Sequence, residues 1–304
     1  MTKVSGMATR VLKALVVFVM ATGSTCVMSE RPASALAVPQ KVVSINLCTD
    51  ELAIQLARPG QLVAVTQLVQ DPLLSEYWKS AKDFPSHNNS LEQIIRYRPD
   101  LILASQWTSS VLLNRLKQLG YTVYRLPAAK SQTQLYANIL MLGQRLGNSR
   151  AAESMVARLK SKIRSLQHVR GKHRRMPGVL LYYPGGWTQS GKGLLAQLLT
   201  IAGFRDMALA KNKKQQVSGS WHSVSLEQLA TSDLDILIVI DSYSRLRSNA
   251  AELLQHPVLR YFRQQKRIVS LPTQWLSCGS PATYKILSRL LSARQNYLRR
   301  QQHE

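Results

Sequence analysis

A glycine-rich stretch between Pro184 and Gly193 has the most obvious potential for chemistry. It reads PGGWTQSGKG, and Gly186, Gly191 and Lys192 match the G-x-x-x-x-G-K spacing of a phosphate-binding loop. In such a loop a Ser or Thr after the lysine binds Mg²⁺, but this sequence has Gly193 there. We therefore expect a strand-to-helix turn where a ligand approaches the backbone. The alternative is an exported enzyme that uses Gly185 to Gly193 to bind a phosphorylated substrate.

The histidines do not indicate a metal centre or a catalytic site. The chain has 6 His, and their positions match no metal-ligand spacing. No G-x-S-x-G nucleophile motif is present either. His87 and His222 each lie just before a predicted helix, and we expect solvated loop positions, with contact to a ligand or a metal as the alternative. These absences predict a protein that is not an enzyme and has no metal site of its own.

The tryptophans form the clearest candidate binding site. Trp107, Trp187 and Trp275 each follow a predicted strand, and Trp221 lies in a loop before a helix. Ligands of open α/β sheets bind beyond the carboxyl ends of the strands. Exposed indoles at these positions therefore predict an aromatic-lined cleft, which suits a large, flat, partly apolar ligand.

The elements that must position these residues alternate between strand and helix in two separate segments. This alternation predicts two α/β lobes with parallel sheets. Between the segments, residues 131–169 lack a strand signal, carry apolar residues at helical spacing and predict a long basic helix that kinks or breaks at Gly147-Asn148. The predicted strands are 42–46, 62–66, 101–104 and 122–126 in the first lobe, and 179–183, 236–240 and 268–271 in the second.

The first predicted helix begins close to the cleft edge of the first lobe. Thr49 is the predicted N-cap of this helix. Asp50 and Glu51 follow in its first turn, where the helix dipole favours acids.

A sequence repeat supports two equivalent lobes. SLEQIIRYRPDLILAS at 90–105 aligns with SLEQLATSDLDILIVI at 225–240. Both begin with Ser-Leu-Glu-Gln, and both place an Asp, Asp100 or Asp235, before an apolar strand. Glu92 and Glu227 thus occupy equivalent positions at the starts of equivalent helices.

The net charge and the N-terminal segment indicate which partners the protein has and where in the cell it works. The formal net charge is +24, with 40 Lys and Arg against 16 Asp and Glu, which indicates an anionic partner or a generally basic surface. No nucleic-acid-binding motif is present, so we expect no nucleic acid partner. Residues 1–37 resemble a secretory signal peptide cleaved after Ala37, with a lipoprotein signal at Cys26 as the rival. We therefore predict a periplasmic protein.

Two cysteines, Cys48 and Cys278, follow the predicted leader and lie one in each lobe. Each follows a predicted strand end, so we expect both at the cleft. In an oxidising compartment they could form a disulfide across the cleft. The alternatives are that one ligates a metal or that both remain unpaired in loops.

The order of these segments resembles that of the periplasmic solute-binding proteins of ABC importers for iron–siderophore, haem and cobalamin. The similarity covers about Pro39 to Leu291. The residues that carry it are VSINLCTD at 43–50, LEQI at 91–94, RPDLIL at 98–103, LGYTV at 119–123, PGG at 184–186, AG at 202–203, SLEQL at 225–229, HPVL at 256–259 and WLSCG at 275–279.

The resemblance implies an α/β fold with two Rossmann-like lobes and parallel sheets joined by a single long helix, a class III periplasmic binding protein. On this basis we expect a signal peptide at 1–37, a first lobe at 38–130, a connecting helix at 131–175 and a second lobe at 176–304.

The resemblance also implies a function. We expect a monomer that captures a ferric chelate, haem or cobalamin and delivers it to an importer permease, with no cofactor of its own. Surface glutamates on each lobe dock the family to permease arginines, which assigns that role to Glu92 and Glu227. The expected ligand-binding residues are Cys48, Trp107, Trp187, Trp221, Trp275 and Cys278.

Overall fold

The computed structural model describes residues 37–170, 175–189, 193–208, 221–241 and 256–302. The predicted leader, Ser190 to Lys192 of the glycine-rich stretch and the lysines of 211–214 lie outside these ranges. None of the helices within the described ranges has the length and apolar character needed to cross a membrane.

The first lobe is a five-stranded parallel sheet with the strand order β3-β2-β1-β4-β5. Because every neighbouring pair is parallel, all five carboxyl ends lie at one edge of the sheet. The strands are β1 (Val42–Ser44), β2 (Leu62–Thr66), β3 (Ser86–His87), β4 (Leu101–Ser105) and β5 (Val123–Leu126). The helices are α1 (Leu47–Leu56), α2 (Trp78–Ala81), α3 (Leu91–Arg96) and α4 (Ser110–Gln118).

The connector contains two helices, α5 (Gln132–Arg145) and α6 (Ser149–Arg170), separated where the sequence predicts a kink or break. Gly147 at this break has φ of 66°, a left-handed conformation that favours glycine. The neighbouring Asn148 donates its side-chain N–H to the carbonyl of Leu56 at 3.0 Å, which anchors the break to α1. Helix α6 then continues to the second lobe.

The second lobe contains a four-stranded parallel sheet with the order β11-β10-β6-β8 and a two-stranded antiparallel ribbon of β7 and β9. Reversed, this order is β8-β6-β10-β11, which matches β2-β1-β4-β5 of the first lobe. The strands are β6 (Gly178–Tyr182), β7 (Trp187–Gln189), β8 (Arg205–Asp206), β9 (Trp221–Ser223), β10 (Ile236–Asp241) and β11 (Ile268–Pro272). The helices are α7 (Leu194–Ala202), α8 (Leu226–Ala230), α9 (Pro257–Gln264) and α10 (Tyr284–Arg300).

Each sheet is covered on both faces. One continuous apolar core runs through both lobes and the connector, and it takes residues from α1, α5, α6, α7 and α10. The opposite face of the first sheet packs on α3 and α4, and that of the second packs on α8 and α9. The shared core makes the connector an integral layer of both lobes.

The structure explains why the chain repeats Ser-Leu-Glu-Gln. Ser90 and Ser225 cap α3 and α8, and each hydroxyl accepts a hydrogen bond from the backbone N–H of the Gln three residues later. In the second copy Gln228 accepts in return from the backbone N–H of Ser225 at 2.9 Å, which completes a capping box. The Ser and the Gln therefore cap the start of each helix, whereas Glu92 and Glu227 have no capping role and are exposed.

The repeated Asp also has a structural role. Asp100 accepts from the backbone N–H groups of Gln40 and Lys41 at 2.6 and 3.0 Å, just before β1. Asp235 accepts from the backbone N–H of Gly178 at 2.6 Å, at the start of β6. Each carboxylate thus holds the first residues of a central strand, β1 or β6, next to the start of the neighbouring strand, β4 or β10.

Two expectations at the cleft edge of the first lobe are wrong. Helix α1 begins at Leu47 with Asn46 as its N-cap, three residues before the start that a Thr49 cap requires, and Thr49 is a buried residue within the helix. His87 is not solvated, because it lies in β3 with 1% of its surface exposed, and its Nε2 contacts the carbonyl oxygen of Ser44 at 3.0 Å. Burial lowers the pKa of His87, which keeps the ring neutral.

Asp235→Ala removes the carboxylate that fixes β6, and we expect it to destabilise the protein by about 1–3 kcal/mol, because a backbone N–H loses its charged acceptor. Asp100→Ala changes stability in the same direction. Asp233→Ala, an exposed neighbour, is the matched control and stays within about 0.5 kcal/mol. Urea unfolding measures all three, and equal midpoints for the Asp233 and Asp235 variants would contradict the assigned role.

Candidate ligand-binding cleft

A cavity of about 790 Å³ lies where the carboxyl ends of the two sheets face each other. Its size is that of a site for a large organic ligand. The first lobe contributes Cys48, Leu52, Ser105, Gln106, Trp107 and 126–130, and the connector contributes Asn138. The second lobe contributes Leu181, Tyr183, Gln189, 193–196, Trp221, Ile240, Thr273, 276–279 and Thr283.

Aromatic side chains from both lobes line this cavity. Trp107 follows β4 with 73% of its surface exposed, and Trp221 in β9 is 53% exposed. The Trp221 indole makes an edge contact with the ring of Tyr183 at a centroid distance of 4.6 Å, which fixes its orientation. Large apolar faces held open to solvent on both sides of a cavity suit a planar ligand between them.

The other two candidate tryptophans lie elsewhere. Trp187 is 47% exposed in β7, the strand that pairs with β9, but it is not among the residues that line the cavity. The Trp275 indole Nε1 donates a hydrogen bond to Oε2 of Glu76 at 2.8 Å. Trp275 is also not among the residues that line the cavity. Trp275 therefore joins the second lobe to the first.

Cys48 and Cys278 form a disulfide within the cavity wall. They are 230 residues apart in sequence, their Cα atoms are 4.9 Å apart, and one belongs to each lobe. The bond settles the alternatives that the sequence left open, because a paired cysteine has no thiolate to bind a metal. It also ties the lobes together at the floor of the cleft.

A polar contact centred on Glu76 joins the lobes beside the disulfide. Its carboxylate accepts from Lys285 Nζ, from the Trp275 indole and from Gln274 Nε2 at 3.4 Å. Although partial burial would raise the pKa of Glu76, the hydrogen bonds from Lys285 and Trp275 lower it. The carboxylate therefore stays ionised and holds three partners from the second lobe.

The glycine-rich stretch does not have the geometry of a phosphate-binding loop. After β6 the chain turns tightly through Gly185 and Gly186, with φ of 81° and 78°, and then enters β7. A phosphate-binding loop leads directly into a helix N-terminus. The prediction of a strand-to-helix turn is therefore wrong for Gly185 to Gln189, where strand β6 is followed by strand β7. Gln189 and Gly193, at the two ends of the undescribed gap, both line the cavity.

The described lining of the cavity is nearly free of charge. Lys130 is the single ionisable Lys, Arg, Asp, Glu or His among the described residues that line it. Burial, together with the nearby Asp206, raises the pKa of Tyr183 to about 12, so its phenol stays protonated. No cluster of His, Cys, Asp and Glu that could hold a metal ion exists among the described residues.

Asp50 lies in the first turn of α1 as predicted, and both it and its neighbour Glu51 are buried, which the sequence did not indicate. Asp50 and Glu51 both have 0% of their surface exposed. Burial raises the pKa of Asp50 to about 8, against hydrogen bonds that include the Thr66 hydroxyl. Burial also raises the pKa of Glu51 to about 7, against the hydroxyls of Ser280 and Ser75. Both carboxyls favour the protonated form.

The family model described as "Periplasmic binding protein" matches residues 42–274, most of the chain. This chain belongs to the periplasmic binding protein family. It is a substrate-binding protein of the kind that serves an ABC importer.

Individual members of this family match over most of their length. A "Cobalamin-binding protein" of Halobacterium salinarum strain R1 is 23% identical over 263 residues, which is 85% of this chain and 70% of the relative. A periplasmic heme-binding protein from Pseudomonas aeruginosa superposes with a TM-score of 0.65 and 26% identity, covering 84% and 92%. The periplasmic vitamin B12-binding protein of Vibrio cholerae gives a TM-score of 0.63 with 16% identity, covering 86% and 98%, and confirms the fold alone.

Sequence reasoning missed residues whose roles depend on contacts between distant segments of the chain. Glu76 and Tyr183 carry no motif, and their partners are far away in sequence. A partial signal exists for Tyr183, because it follows a strand and precedes two glycines in the same way as the predicted cleft residues. Asp50 and Glu51 are adjacent acids beside a hydrophobic strand, a pattern that also fits an exposed helix start.

Glu51→Gln should reduce the pH dependence of stability. Since the pKa of Glu51 is about 7 in the folded state and about 4.5 when unfolded, the folded protein binds more protons between these values. Stability from this group is therefore greatest below pH ~4.5 and falls as the pH rises to about 7. The Gln variant keeps a neutral side chain and should melt a few degrees higher than the unmodified protein at pH 8.

Melting temperatures measured from pH 4 to pH 8 test this expectation. Glu153→Gln, on the exposed face of α6, is the matched control and should leave the pH profile unchanged. Some slope remains in the Glu51 variant because Asp50 is still present. An unchanged slope, or a Glu51→Gln variant less stable than the unmodified protein at pH 8, would show that the carboxyl is ionised in the folded state.

Proposed function

We propose that the cleft captures a cobalamin-type corrinoid and delivers it to an ABC importer permease. The observation that carries the proposal is a large aromatic-walled cavity whose described lining offers no ligand for an open metal position. This chemistry separates haem from the two ligand classes whose metal is already saturated, and the similarity to a cobalamin-binding protein favours the corrinoid over a ferric siderophore.

Haem with an open axial position is normally held by a His, Met, Cys thiolate or Tyr side chain. The described residues that line the cavity include neither His nor Met, and the two cysteines among them form a disulfide. Tyr183 remains, but its raised pKa disfavours the phenolate that would bind iron. The cavity therefore favours a chelate whose metal is already saturated.

A corrinoid has these properties. Cobalamin carries its own axial ligands on cobalt, and its periphery is rich in amides. The apolar faces of Trp107 and Trp221 can pack against the macrocycle, while the side chains of Gln106, Asn138 and Gln189 line the same space. The similarity to the cobalamin-binding protein of Halobacterium salinarum supports the same ligand.

Titration with cyanocobalamin should give saturable quenching of tryptophan fluorescence at micromolar concentration or below. Trp107→Ala and Trp221→Ala should each weaken affinity by about tenfold, or ~1.4 kcal/mol, because each removes one aromatic wall. Trp78→Ala is the control, since Trp78 lies on α2 outside the cavity.

Haemin at the same concentrations serves as the competing ligand. We expect weaker binding without the absorption change that marks an iron–protein bond. Tight haemin binding with a spectrum that changes in Tyr183→Phe would instead establish a haem-binding protein with a tyrosine ligand.

We further propose that Glu92 and Glu227 dock the two lobes to the permease. They occupy equivalent positions on equivalent helices, and both are exposed. The Ser and Gln of the repeat are accounted for by helix capping, but capping does not require the intervening Glu. A hydrogen bond from Ser225 lowers the pKa of Glu227, which keeps its charge available.

Charge reversal by Glu92→Lys and Glu227→Lys together should abolish ligand uptake by cells and leave ligand affinity unchanged, because the cleft lies elsewhere. Glu153→Lys, on α6, is the matched control and should not impair uptake. Uptake that survives the double reversal would reduce the repeat to inherited capping motifs.

The remaining expectations belong to the same proposal. Residues 1–37 act as a signal peptide cleaved after Ala37, and the exported protein works as a monomer. It performs no catalysis, binds no nucleic acid and has no resident cofactor, so the Gly185–Gly193 loop has no phosphorylated substrate.

A further inference from the structure

Part of the excess positive charge lies on one surface of the structure, where acids are nearly absent. We define the basic layer as the outer face of α5, α6 and α10, which pack side by side with α6 in the middle. The exposed cations of this layer are Arg145, Arg150, Arg158, Lys160, Lys162, Arg164, Arg289 and Arg299. Glu153 is the single exposed acid on these three helices.

The cations on α6 form two rows on its exposed face. Arg158 and Lys162 are four residues apart, as are Lys160 and Arg164, so each pair lies on the same side of the helix. Like charges at this spacing destabilise a helix, and no described carboxylate forms an ion pair with any of the four. From Arg150 to Arg164 the basic face extends about 21 Å along the axis.

The basic layer is separate from both proposed sites of function. Neither α6 nor α10 contributes a residue to the cavity. Helices α3 and α8, which carry Glu92 and Glu227, pack on the opposite faces of the two sheets. The charge therefore does not serve ligand capture or the docking of those glutamates.

We propose that the basic layer binds the surface of a membrane that contains anionic phospholipids. The argument is charge complementarity, because a broad face on which exposed cations greatly outnumber acids matches a negatively charged plane. Two apolar side chains on the outer face of α5, Leu140 and Met141, are 40% and 44% exposed and can enter the headgroup region. Binding would keep the protein near the membrane that holds the permease.

Co-sedimentation with lipid vesicles tests the proposal. At low salt the purified protein should bind vesicles of phosphatidylcholine mixed with phosphatidylglycerol, and it should not bind phosphatidylcholine alone. About 1 M salt, where the screening length is about 3 Å, should release it. Equal binding to both vesicle types, or no binding to either, would overturn the proposal.

Matched charge variants locate the surface. We expect vesicle binding to fall by about a hundredfold or more in a variant that combines four substitutions on α6, Arg150→Gln, Arg158→Gln, Lys162→Gln and Arg164→Gln. The control removes the same charge from exposed positions outside the basic layer, with Lys82→Gln, Arg96→Gln, Arg115→Gln and Lys117→Gln. If both quadruple variants lose binding equally, net charge alone is responsible and the basic layer is not a site.

Two further measurements separate this inference from the other proposals. Soluble polyglutamate should not match the affinity of the vesicles, and tighter binding to it through the same four side chains would identify an acidic polymer as the partner. Cyanocobalamin titration of the Arg150, Arg158, Lys162 and Arg164 variant should be unchanged. The membrane inference can therefore fail while the ligand proposal stands, and the reverse also holds.

Discussion

The contact between the two lobes at the floor of the cleft is the constraint on which the rest of the structure depends. A cavity between two sheets persists only if their carboxyl edges are held at a fixed separation. Here a disulfide, Cys48–Cys278, provides a covalent link, and Glu76 accepts hydrogen bonds from three side chains of the opposite lobe. Trp107 and Trp221 can stay apart as walls because this floor keeps their lobes in place.

Buried carboxyls beneath the same floor add a second property. Glu51 lies between Ser75 of the first lobe and Ser280 of the second, and its pKa is close to neutral. This carboxyl therefore stabilises the interface most when it is neutral, at acid pH, and its contribution falls as the pH rises to about 7. Asp50 acts in the same direction from within the first lobe.

The fold was predictable from the sequence because its signals are local. Strand β2 has the predicted bounds, and both segments of alternating strands and helices form parallel sheets as predicted. The family match confirms the predicted resemblance. Alternating apolar segments, capping residues and terminal glycines determine such elements through contacts within a few residues of one another.

The cleft was less predictable because its details depend on contacts between distant segments. The four candidates Cys48, Trp107, Trp221 and Cys278 do line the cavity, whereas Trp275 binds Glu76 of the other lobe. The two-residue strand β3 and the ribbon of β7 and β9 were missed, since such short strands exist only through their partners. The burial of Asp50 and His87 was not predicted for a related reason, because burial is decided by neighbouring segments.

The disulfide and the connector together close a covalent ring through both lobes. A cleft built in this way is already shaped before the ligand arrives, so little ordering of the chain opposes association. Rapid capture then requires no large rearrangement, and the lifetime of the complex is governed by the dissociation rate. The same covalent link limits how far the two lobes can separate when the ligand leaves for a transporter.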